Sequence, residues 1–530
     1  MKRAMVQRFR EMRQRRHLVR VYETSVMQKH GCLLFVMREN SELKLAILSP
    51  VHERGYLRGF AAEEDGVFEV AGESFRYKIC LCNHQNAESL RRLFRYTCPS
   101  VLGLAPAIGA GDRIGLATPA HIGALKGVGV FPVLAQQSIR EMRRALRTPR
   151  EVLDDVSWAV FQEGYRGGFG ADADHVKTLD ELDETYEAGF TTFTIDPSAY
   201  VDSEADNYDL PRLKEKFGRL PWAKLQCRKE DYSRIYLSKQ PRTTLARKAQ
   251  MPEFSEEALL RVAVKYSAAI AHVAKMYRHL KKLFARKRFD VEVSVDETET
   301  PTSPPEHFFV ACELRRLNIK ITSLALRFVG RFEKAVDYIG SLSEFEESFV
   351  EHVSIAKACG PYKLSIHSGS DKFSIFPIVG RLASSMVHLK TAGTSYLEAL
   401  RVVARHDPDL FREIVEHSLG CFEKDRKSYY LTTDLSAVPN PRQMSDDDLE
   451  EAFLDENNAR QMLHVTYGSV LTAKTGIGEW LFRERIRRIL MENEGEHYET
   501  VAKHIRRHVE SLWFWRKGNK PPGGTTNERK

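Results

Sequence analysis

The hydrophobic pattern divides the chain into a short β-rich region and a longer region in which strands alternate with helices. Before about residue 100, short apolar or alternating runs are separated by turn residues, a pattern typical of antiparallel strands. These runs lie at 32–37, 43–48, 66–70 and 75–82, and a helix is predicted over 87–94. The pattern predicts an N-terminal region over residues 1–105, made of a basic leading segment and a small β-rich domain.

From about residue 106, apolar runs alternate with long helical stretches, which predicts βα units and a parallel sheet. The candidate strands are 112–118, 130–135, 156–163, 190–196, 290–297, 320–328, 362–368, 386–391 and 462–468. A closed barrel needs eight strands, so one of these nine is misassigned or lies outside it. We predict an α/β, TIM-like (β/α)8 barrel over 106–480 and a C-terminal helical extension over 481–530 that ends in a disordered tail.

Two segments between the strands differ from this alternation. Residues 200–254 are charged and interrupted by prolines, which predicts an insertion near the barrel that could act as a lid. Residues 256–284 carry apolar side chains at helical spacing and predict a long core helix.

Several predicted strands carry polar residues on one face. Side chains alternate between faces along a strand, so Glu292 shares a face with Asp296, and Lys363 shares one with His367. Further polar faces are Thr192, Thr194 and Asp196; His388 and Lys390; and His464 and Thr466. Parallel strands buried on both sides are normally apolar throughout. We therefore expect a polar site inside the barrel, towards its C-terminal mouth.

The Gly-rich stretch 162–177 is the first candidate for chemistry. We expect it to leave a strand that ends at Glu163, and it brings Asp172, Asp174 and His175 within four positions. Proton transfer needs a carboxylate within hydrogen-bond reach, and divalent metals bind imidazole and carboxylate groups. A structural loop can contain the same residue types. Whether this one is catalytic depends on whether other strand ends carry similar residues.

Further candidates lie at the ends of four other predicted strands. Asp296 begins an acidic loop that reaches His307, which is either a metal ligand or a residue of a first helical turn. His367 and Ser368 begin a Ser-Gly-Ser loop that could bind an anionic group through backbone N–H donors. Lys390 and Arg327 are candidate cations for such a group, although an arginine at a strand end is often structural.

Composition and charge narrow the functional classes. The chain is 42% hydrophobic and 29% charged, as in globular proteins, and contains no apolar run of about 18 residues that would predict a membrane span. Eight scattered cysteines without zinc-type spacing indicate reduced thiols in a cytoplasmic protein. The net charge is +8, and the basic first 20 residues could be a nucleic-acid arm, a transit peptide or a surface helix, which we favour.

Two classes remain: a metal-dependent enzyme acting on an anionic, sugar-like molecule, and a binding protein for sugar or nucleic acid. Nucleic acid would be repelled by the converging carboxylates of Glu163, Asp172, Asp174, Glu292 and Asp296. We therefore expect an enzyme with a small-molecule substrate and no nucleic-acid or membrane partner. The sequence leaves open whether the chain forms a homo-oligomer.

Several motifs, in the same order along the chain, resemble the bacterial tagaturonate/fructuronate epimerase family. They are 161–165 (FQEGY), 168–175 (GFGADADH), 194–197 (TIDP), 293–298 (VSVDET), 365–374 (SIHSGSDKFS) and 390–398 (KTAGTSYLE). The resemblance spans roughly residues 100–480 and leaves out the basic first 20 residues and the Pro/Gly tail. It implies interconversion of D-tagaturonate and D-fructuronate with a divalent metal such as Zn²⁺ or Mn²⁺.

The two sugar acids differ at the carbinol carbon β to the ketone, whose C–H is not acidic, so enolisation cannot invert it. Retro-aldol cleavage, rotation of the aldehyde and re-addition can. Oxidation and reduction through a bound nicotinamide is another route, but no GxGxxG motif follows a predicted strand. The short run from Ala173 to His175 is also similar to the Asp-His element of class II aldolases, which points to the same mechanism.

The resemblance leads to a set of expected roles. The expected metal ligands are His175, His307 and His367. The expected acid/base groups are Asp174, on the hydroxyl of the inverted carbon, and Glu163 or Glu292 as the second group. The expected substrate-binding residues are Gln162, Asp296, Arg327, Lys363, Ser368 and Lys390, of which Arg327, Lys363 or Lys390 would neutralise the substrate carboxylate. The alternative function is a metal-dependent aldolase or isomerase for another sugar acid or a sugar phosphate.

Overall fold

The computed structural model describes residues 2–52, 56–237 and 252–513. Its first region is an antiparallel sheet of strand order β1-β3-β4-β6-β5, with β2 also paired to β3. The elements are α1 (Lys2–Gln14), β1 (Val19–Val21), β2 (Met27–Lys29), β3 (Cys32–Glu39), β4 (Glu42–Pro50), β5 (Glu64–Val70), β6 (Glu73–Leu81) and α2 (His84–Leu93). The prediction of a small N-terminal β-rich domain is confirmed.

The basic N-terminal segment forms α1, which packs on this sheet. Met5, Val6 and Phe9 of α1 are buried in a hydrophobic cluster with sheet residues such as Phe35. Near the end of the helix, Arg13 is also buried and donates from Nε to Glu39 at 2.8 Å. The apolar face of the segment thus covers the sheet.

Eight parallel strands close into a barrel, in which each strand pairs with the next and the last pairs with the first. They are β7 (Ala107–Gly109), β8 (Phe131–Ser138), β9 (Gly170–Val176), β10 (Thr192–Ile195), β11 (Asp290–Val295), β12 (Ser323–Leu326), β13 (Lys363–Ile366) and β14 (Val387–Lys390). The predicted TIM-like (β/α)8 barrel is confirmed.

Helices surround these strands. They are α3 (Thr118–Leu125), α4 (Ile139–Arg144), α5 (Pro149–Gln162), α6 (Leu179–Ala188), α7 (Leu210–Gly218), α8 (Trp222–Leu225), α9 (Lys229–Tyr236), α10 (Glu256–Phe284), α11 (Pro304–Arg316), α12 (Leu342–Cys359) and α13 (Phe376–Ala383). The predicted insertion contains α7, α8 and α9, which pack against α10 in the outer layer. Residues 238–251, part of the same prediction, lie outside the described residues.

Five helices follow the last strand: α14 (Thr394–His406), α15 (Pro408–Asp425), α16 (Asn457–Thr472), α17 (Arg483–Glu492) and α18 (Glu494–Trp513). The predicted C-terminal helices are therefore present, and they begin well before residue 481. The last helix, α18, packs against α3, α13 and α14. Within the described ranges, no helix is long and apolar enough to cross a membrane. The predicted disordered tail lies outside those ranges.

Three of the nine strands predicted for the barrel region are wrong, and two strands of the barrel were not predicted. Residues 156–163 belong to α5, residues 462–468 belong to α16, and residues 112–118 form the loop that enters α3. The barrel strands without a prediction are β7 and β9, and in the N-terminal sheet β1 and β2 were not predicted either.

The strand assigned to 156–163 fails because α5 is buried on more than one side. Its Trp158 and Phe161 pack into the core of the N-terminal domain, whereas Val156 and Val160 pack into the barrel core. A helix with apolar neighbours on several sides shows no polar face in its sequence, so its periodicity is lost. Its start is nevertheless marked by a capping box at Thr148.

Candidate active site

The carboxyl ends of the barrel strands surround a cavity of about 600 Å³. Among the residues that line it are seven of those singled out in the sequence: Asp174, His175, Asp296, Arg327, His367, Ser368 and Lys390. Active sites of (β/α)8 barrels lie at this face, where loops from several strands meet. The cavity is therefore the candidate active site.

Lys390, the last residue of β14, occupies the centre of a charged network on the cavity floor. Its Nζ lies 2.7 Å from Asp174 Oδ1, 2.9 Å from Asp172 Oδ2 and 2.8 Å from Glu292 Oε1. Burial opposes its charge, but the three carboxylates outweigh burial and hold the pKa of Lys390 well above its usual value. In the same way, Lys390 overcomes the effect of burial on Asp174 and holds the pKa of that carboxyl well below its usual value.

Glu292 lies beneath the cavity and joins the network to two histidines. Its Oε1 is 2.6 Å from His367 Nε2, its Oε2 is 3.2 Å from His388 Nδ1, and Ser323 Oγ donates to Oε2 at 2.5 Å. The side chain is fully buried. Despite burial, Lys390 and the two imidazoles hold its pKa well below the usual value. Glu292 is thus an ionised group that orients its neighbours.

His367, which directly follows β13, lies between two carboxylates. Its Nε2 contacts Glu292, whereas its Nδ1 lies 3.1 Å from Asp296 Oδ1 without forming a hydrogen bond. Burial disfavours the imidazolium, but the charge of Asp296 and contacts to both carboxylates raise the pKa of His367 to about 10. The Nδ1 atom is therefore a buried polar atom that faces a carboxylate but lacks a hydrogen-bond partner.

His175 is turned towards His367 by an irregularity in β9. Ala173 pairs with Phe193 and Val176 pairs with Ile195, so three steps on β9 oppose two on β10. At this bulge His175 has a φ of +53°, a left-handed conformation that is uncommon outside glycine. Consecutive strand residues normally face opposite sides, and the bulge lets Asp174 and His175 both line the cavity.

The two imidazoles approach each other across the cavity, with ring centroids 4.9 Å apart. The Nδ1 of His175 lies 3.1 Å from Asp196 Oδ2, and Lys177 Nζ lies 3.0 Å from the same oxygen. This contact leaves Nε2 of His175 on the side of Asp174, whose Oδ1 lies 3.9 Å away.

These side chains fit a divalent metal ion. Asp174, His175 and His367 each offer a donor atom, and the three atoms lie within 4.8 Å of one another. Metal-binding imidazoles usually hold their second nitrogen on a carboxylate, which fixes the ring. Asp196 does this for His175, and Glu292 does it for His367, whose Nδ1 remains without a hydrogen bond. The oxygen of Asp296 beside that Nδ1 is a further donor.

His307 does not join this group, contrary to the expectation from the sequence. It lies one turn inside α11, fully buried, with Nε2 2.8 Å from the Tyr362 hydroxyl and Nδ1 3.1 Å from His352 Nδ1. Burial and the neighbouring His352 hold its pKa well below the usual value. Because α11 turns this face towards α12, His307 packs between helices and does not line the cavity.

Three further predicted residues lie away from the cavity. Gln162 and Glu163 end α5, which precedes β9, so they lie at the opposite end of the barrel from the carboxyl ends. The Gly-rich loop enters a strand here, whereas the sequence pattern predicted that it leaves one. Lys363 is the first residue of β13, and its Nζ donates to the carbonyl of Ala105 at 3.0 Å.

The cavity also contains residues that sequence reasoning did not single out. They are Gln136, Ser138, Arg140, Glu141, Arg331, Lys334, Tyr429 and Tyr430, among others. Gln136 Nε2 donates to Asp174 Oδ2 at 3.0 Å and helps to fix that carboxylate. A longer β8 would have revealed Gln136 and Ser138 at alternate positions, whereas no local pattern marks the two tyrosines.

In a second cluster of metal-type side chains, Asp371, His504 and His508, two members are already engaged by protein partners. Asp371 Oδ2 lies 2.8 Å from Arg460 Nη2. Both nitrogens of His508 are engaged, since Nε2 accepts from the backbone N–H of Asp371 and Nδ1 donates to the carbonyl of His504, each at 2.9 Å. This cluster links the loop after His367 to α18.

Comparison with known proteins agrees with this architecture. A family model described as tagaturonate epimerase (UxaE) matches residues 22–512. A protein of Thermotoga maritima named tagaturonate/fructuronate epimerase is 46% identical over 492 residues, which is 93% of this chain and 96% of that protein. The family match includes the N-terminal sheet from β2 onwards and the C-terminal helices up to residue 512.

Solved structures lead to the same family. Native and glycerol-complexed crystal structures of fructuronate-tagaturonate epimerase UxaE from Cohnella laeviribosi superpose with a TM-score of 0.86 at 36% identity. The alignment covers 96% of this chain and 99% of those chains. The chain therefore belongs to the tagaturonate epimerase family and is an isomerase by family.

Proposed function

We propose that this protein interconverts D-tagaturonate and D-fructuronate by a metal-dependent retro-aldol reaction. Family membership supports the substrate pair. The observation that carries the mechanism is the meeting of Asp174, His175 and His367 at one end of the barrel, in a cavity that can hold a small molecule.

The chemistry requires inversion of the carbinol carbon β to the ketone. A base removes the hydroxyl proton from that carbon, its C–O bond becomes a carbonyl, and the bond to the α carbon breaks. The electron pair of that bond leaves with the ketone fragment as an enediolate. After the aldehyde turns its other face, the bond forms again and the new alkoxide takes the proton back, so protons and electrons balance.

Asp174 is the proposed group that takes and returns the hydroxyl proton. It lines the cavity, and Lys390 keeps it ionised, which is the form that can accept a proton. Gln136 and Lys390 fix both carboxylate oxygens, at 3.0 and 2.7 Å. Lys390 also offsets the negative charge of Asp172 and Glu292, which would otherwise repel an anionic substrate.

In this proposal His175 and His367 hold a divalent cation with a carboxylate such as Asp296, and the cation, when bound, polarises the ketone as a Lewis acid. Asp196 and Glu292 keep the two imidazoles oriented. Glu292 therefore orients His367. Glu163 has no role in the proposal, because it lies at the end of α5, at the opposite end of the barrel from the cavity.

The decisive experiment is conversion of D-tagaturonate by chelator-stripped protein, with and without added Mn²⁺ or Zn²⁺, followed by chromatography of D-fructuronate. We expect conversion only with metal. Run in D₂O, the reaction should leave the hydrogen on the inverted carbon unexchanged, because the retro-aldol route never breaks that C–H bond. Deuterium at that carbon would contradict the mechanism, and accumulation of three-carbon products without the epimer would favour an aldolase.

A further inference from the structure

The cavity contains several cations, but most of them are already neutralised. Lys390 contacts three carboxylates, Arg140 lies 3.4 Å from Glu297, and Arg331 lies 3.8 Å from Glu333. Arg327 uses its guanidinium to donate to the carbonyl of Thr298. These groups have protein partners that a substrate carboxylate would have to displace or share.

Lys334 is different. It lines the cavity, and among the described residues no carboxylate oxygen lies within 4.0 Å of its Nζ. The charge of Lys334 helps to lower the pKa of the nearby Glu141, but that carboxylate is bound by Arg113 Nη2 at 2.5 Å. Lys334 thus brings a positive charge to the cavity that no carboxylate of the described part of the chain pairs.

The loop that carries Lys334, between β12 and α12, is held firmly. The carbonyl of Glu333 accepts from Lys372 Nζ at 2.8 Å, and the carbonyl of Lys334 accepts from Gln461 Nε2 at 3.3 Å. The backbones of Arg331 and Ile339 form an antiparallel bridge, with N–H···O distances of 2.9 and 3.2 Å. A fixed backbone lowers the ordering cost of binding through this side chain.

The carboxylate of Glu333, the residue before Lys334, also fixes this loop through its own hydrogen bonds. It accepts from the backbone N–H and the hydroxyl of Thr432 and from Gln461 Nε2, each at 3.0 Å. Its side chain is almost fully buried. The acid next in sequence to Lys334 is therefore occupied by these donors and leaves the lysine charge available.

We infer that Lys334 binds the carboxylate of the substrate and makes the cavity selective for sugar acids over neutral sugars, an inference that rests on the proposed function. A sugar acid differs from the neutral sugar by one anionic group, and selectivity for that group needs a cation with no internal partner. The three other cations considered for this role do not meet that condition. Arg327 donates to the carbonyl of Thr298. Lys390 is compensated by three carboxylates, and Lys363 lies outside the cavity.

The test is a comparison of two ligands across variants of the metal-loaded protein, with dissociation constants measured by calorimetry. D-tagatose carries –CH₂OH where D-tagaturonate carries the carboxylate. For Lys334→Gln we expect the Kd of D-tagaturonate to rise roughly 10- to 100-fold, the scale of a hydrogen bond to a charged group. The Kd of D-tagatose should stay within about twofold. Lys334→Arg should retain part of the affinity for the acid.

The matched control is Arg331→Gln, which removes one positive charge from the same loop. It should weaken D-tagaturonate binding less, and that smaller effect should disappear with added salt because it acts through the solvent. Equal weakening of both ligands in Lys334→Gln would overturn the inference, as would equal, salt-sensitive effects in the two variants. Failure of the wild-type protein to convert D-tagaturonate would instead overturn the proposed function, while the ratio of the two Kd values still tests Lys334.

Discussion

At the scale of single residues, Asp172 and Asp174 have different environments although they lie on the same strand. Both carboxylates lie on β9 and contact Lys390, at 2.9 and 2.7 Å. Asp172 is fully buried and does not line the cavity, whereas Asp174 does. The pair offers a matched comparison, because either change to asparagine removes one negative charge from the same lysine.

We expect Asp174→Asn to lower kcat by roughly 10²- to 10⁴-fold with the fold intact, the usual scale of general acid–base catalysis. Asp172→Asn should cost much less, since the amide stays beneath the cavity and only alters the field around Lys390. Steady-state kinetics and circular dichroism of both variants measure this difference. Similar losses in the two would mean that Asp174 acts only through its charge.

The buried Lys363 should make the folding stability of the protein depend on pH. Burial lowers its pKa to about 8, from the usual 10.5. Between these pH values the unfolded chain binds a proton that the folded protein does not, so folding stability rises with pH in this window. Below pH 8 both states hold the proton, and above 10.5 neither does.

The difference in unfolding free energy between the wild type and Lys363→Met should therefore grow in favour of the wild type from pH 8 to 10.5, by roughly 2–4 kcal/mol. Urea unfolding at several pH values measures this difference. A difference that is constant with pH would show that Lys363 keeps its charge in the folded protein.

At the scale of elements, the strand ends decide which histidines can hold a metal. His175 is the last residue but one of β9 and His367 follows β13, whereas His307 lies inside α11. We expect His175→Ala and His367→Ala to lose bound metal in an elemental assay. His307→Ala should keep its metal while losing stability, because it opens a cavity between helices. Metal retained by His175→Ala would exclude the proposed site.

How far the elements could be predicted depended on what surrounds each of them. The polar positions of β11, at Glu292 and Ser294, alternate with valines, so the strand and its inward face were both predicted correctly. The opposite case is β9, whose run from Gly170 to Val176 is made of small and acidic residues. Its inward side chains serve the cavity, so its composition does not look like a strand, and it was missed.

The wrong prediction of a strand at 462–468 has the same cause as the wrong prediction of a strand within α5. Residues of α16 such as Met462, Val465 and Tyr467 are buried among the other C-terminal helices, so the sequence shows no polar stripe. His464 accordingly lies in a helix and not on a barrel strand. Local pattern cannot distinguish such a segment from a buried strand.

Cavity residues that come from distant segments were beyond local pattern for another reason. Lys334 lies in an irregular loop, and Tyr429 follows α15, so neither has a periodicity that would indicate its direction. The loop after β12 brings Lys334 to the mouth of the barrel, and the packing of the C-terminal helices brings Tyr429 there.

At the scale of the whole molecule, the last helix supports the loop that carries His367. Ser368 and Asp371 have φ values of +48° and +63°, which non-glycine residues adopt at a cost of roughly 1–3 kcal/mol. His508 of α18 accepts from the backbone N–H of Asp371, and Trp513 Nε1 donates to the carbonyl of Ser384 at 2.9 Å. The strained loop thus depends on contacts from the far end of the chain.

Replacement of His508 by Phe should therefore leave the Asp371 N–H without its acceptor, lower stability by about 1–3 kcal/mol and weaken metal binding. Arg506→Gln, on an exposed position of the same helix, is the control and should change neither property. Metal titrations and thermal unfolding of both variants test this. Unchanged metal affinity in His508→Phe would show that α18 does not support metal binding by the loop after His367.

The position of α18 also has a consequence for biosynthesis. A ribosome releases the chain from its N-terminus, so all eight strands of the barrel emerge before the helix that holds the loop after His367. The N-terminal sheet, by contrast, meets its partner α5 early, through Trp158 and Phe161. Barrel closure and completion of the loop after His367 are therefore separate events in the life of each new molecule, and the second must wait until α18 has left the ribosome.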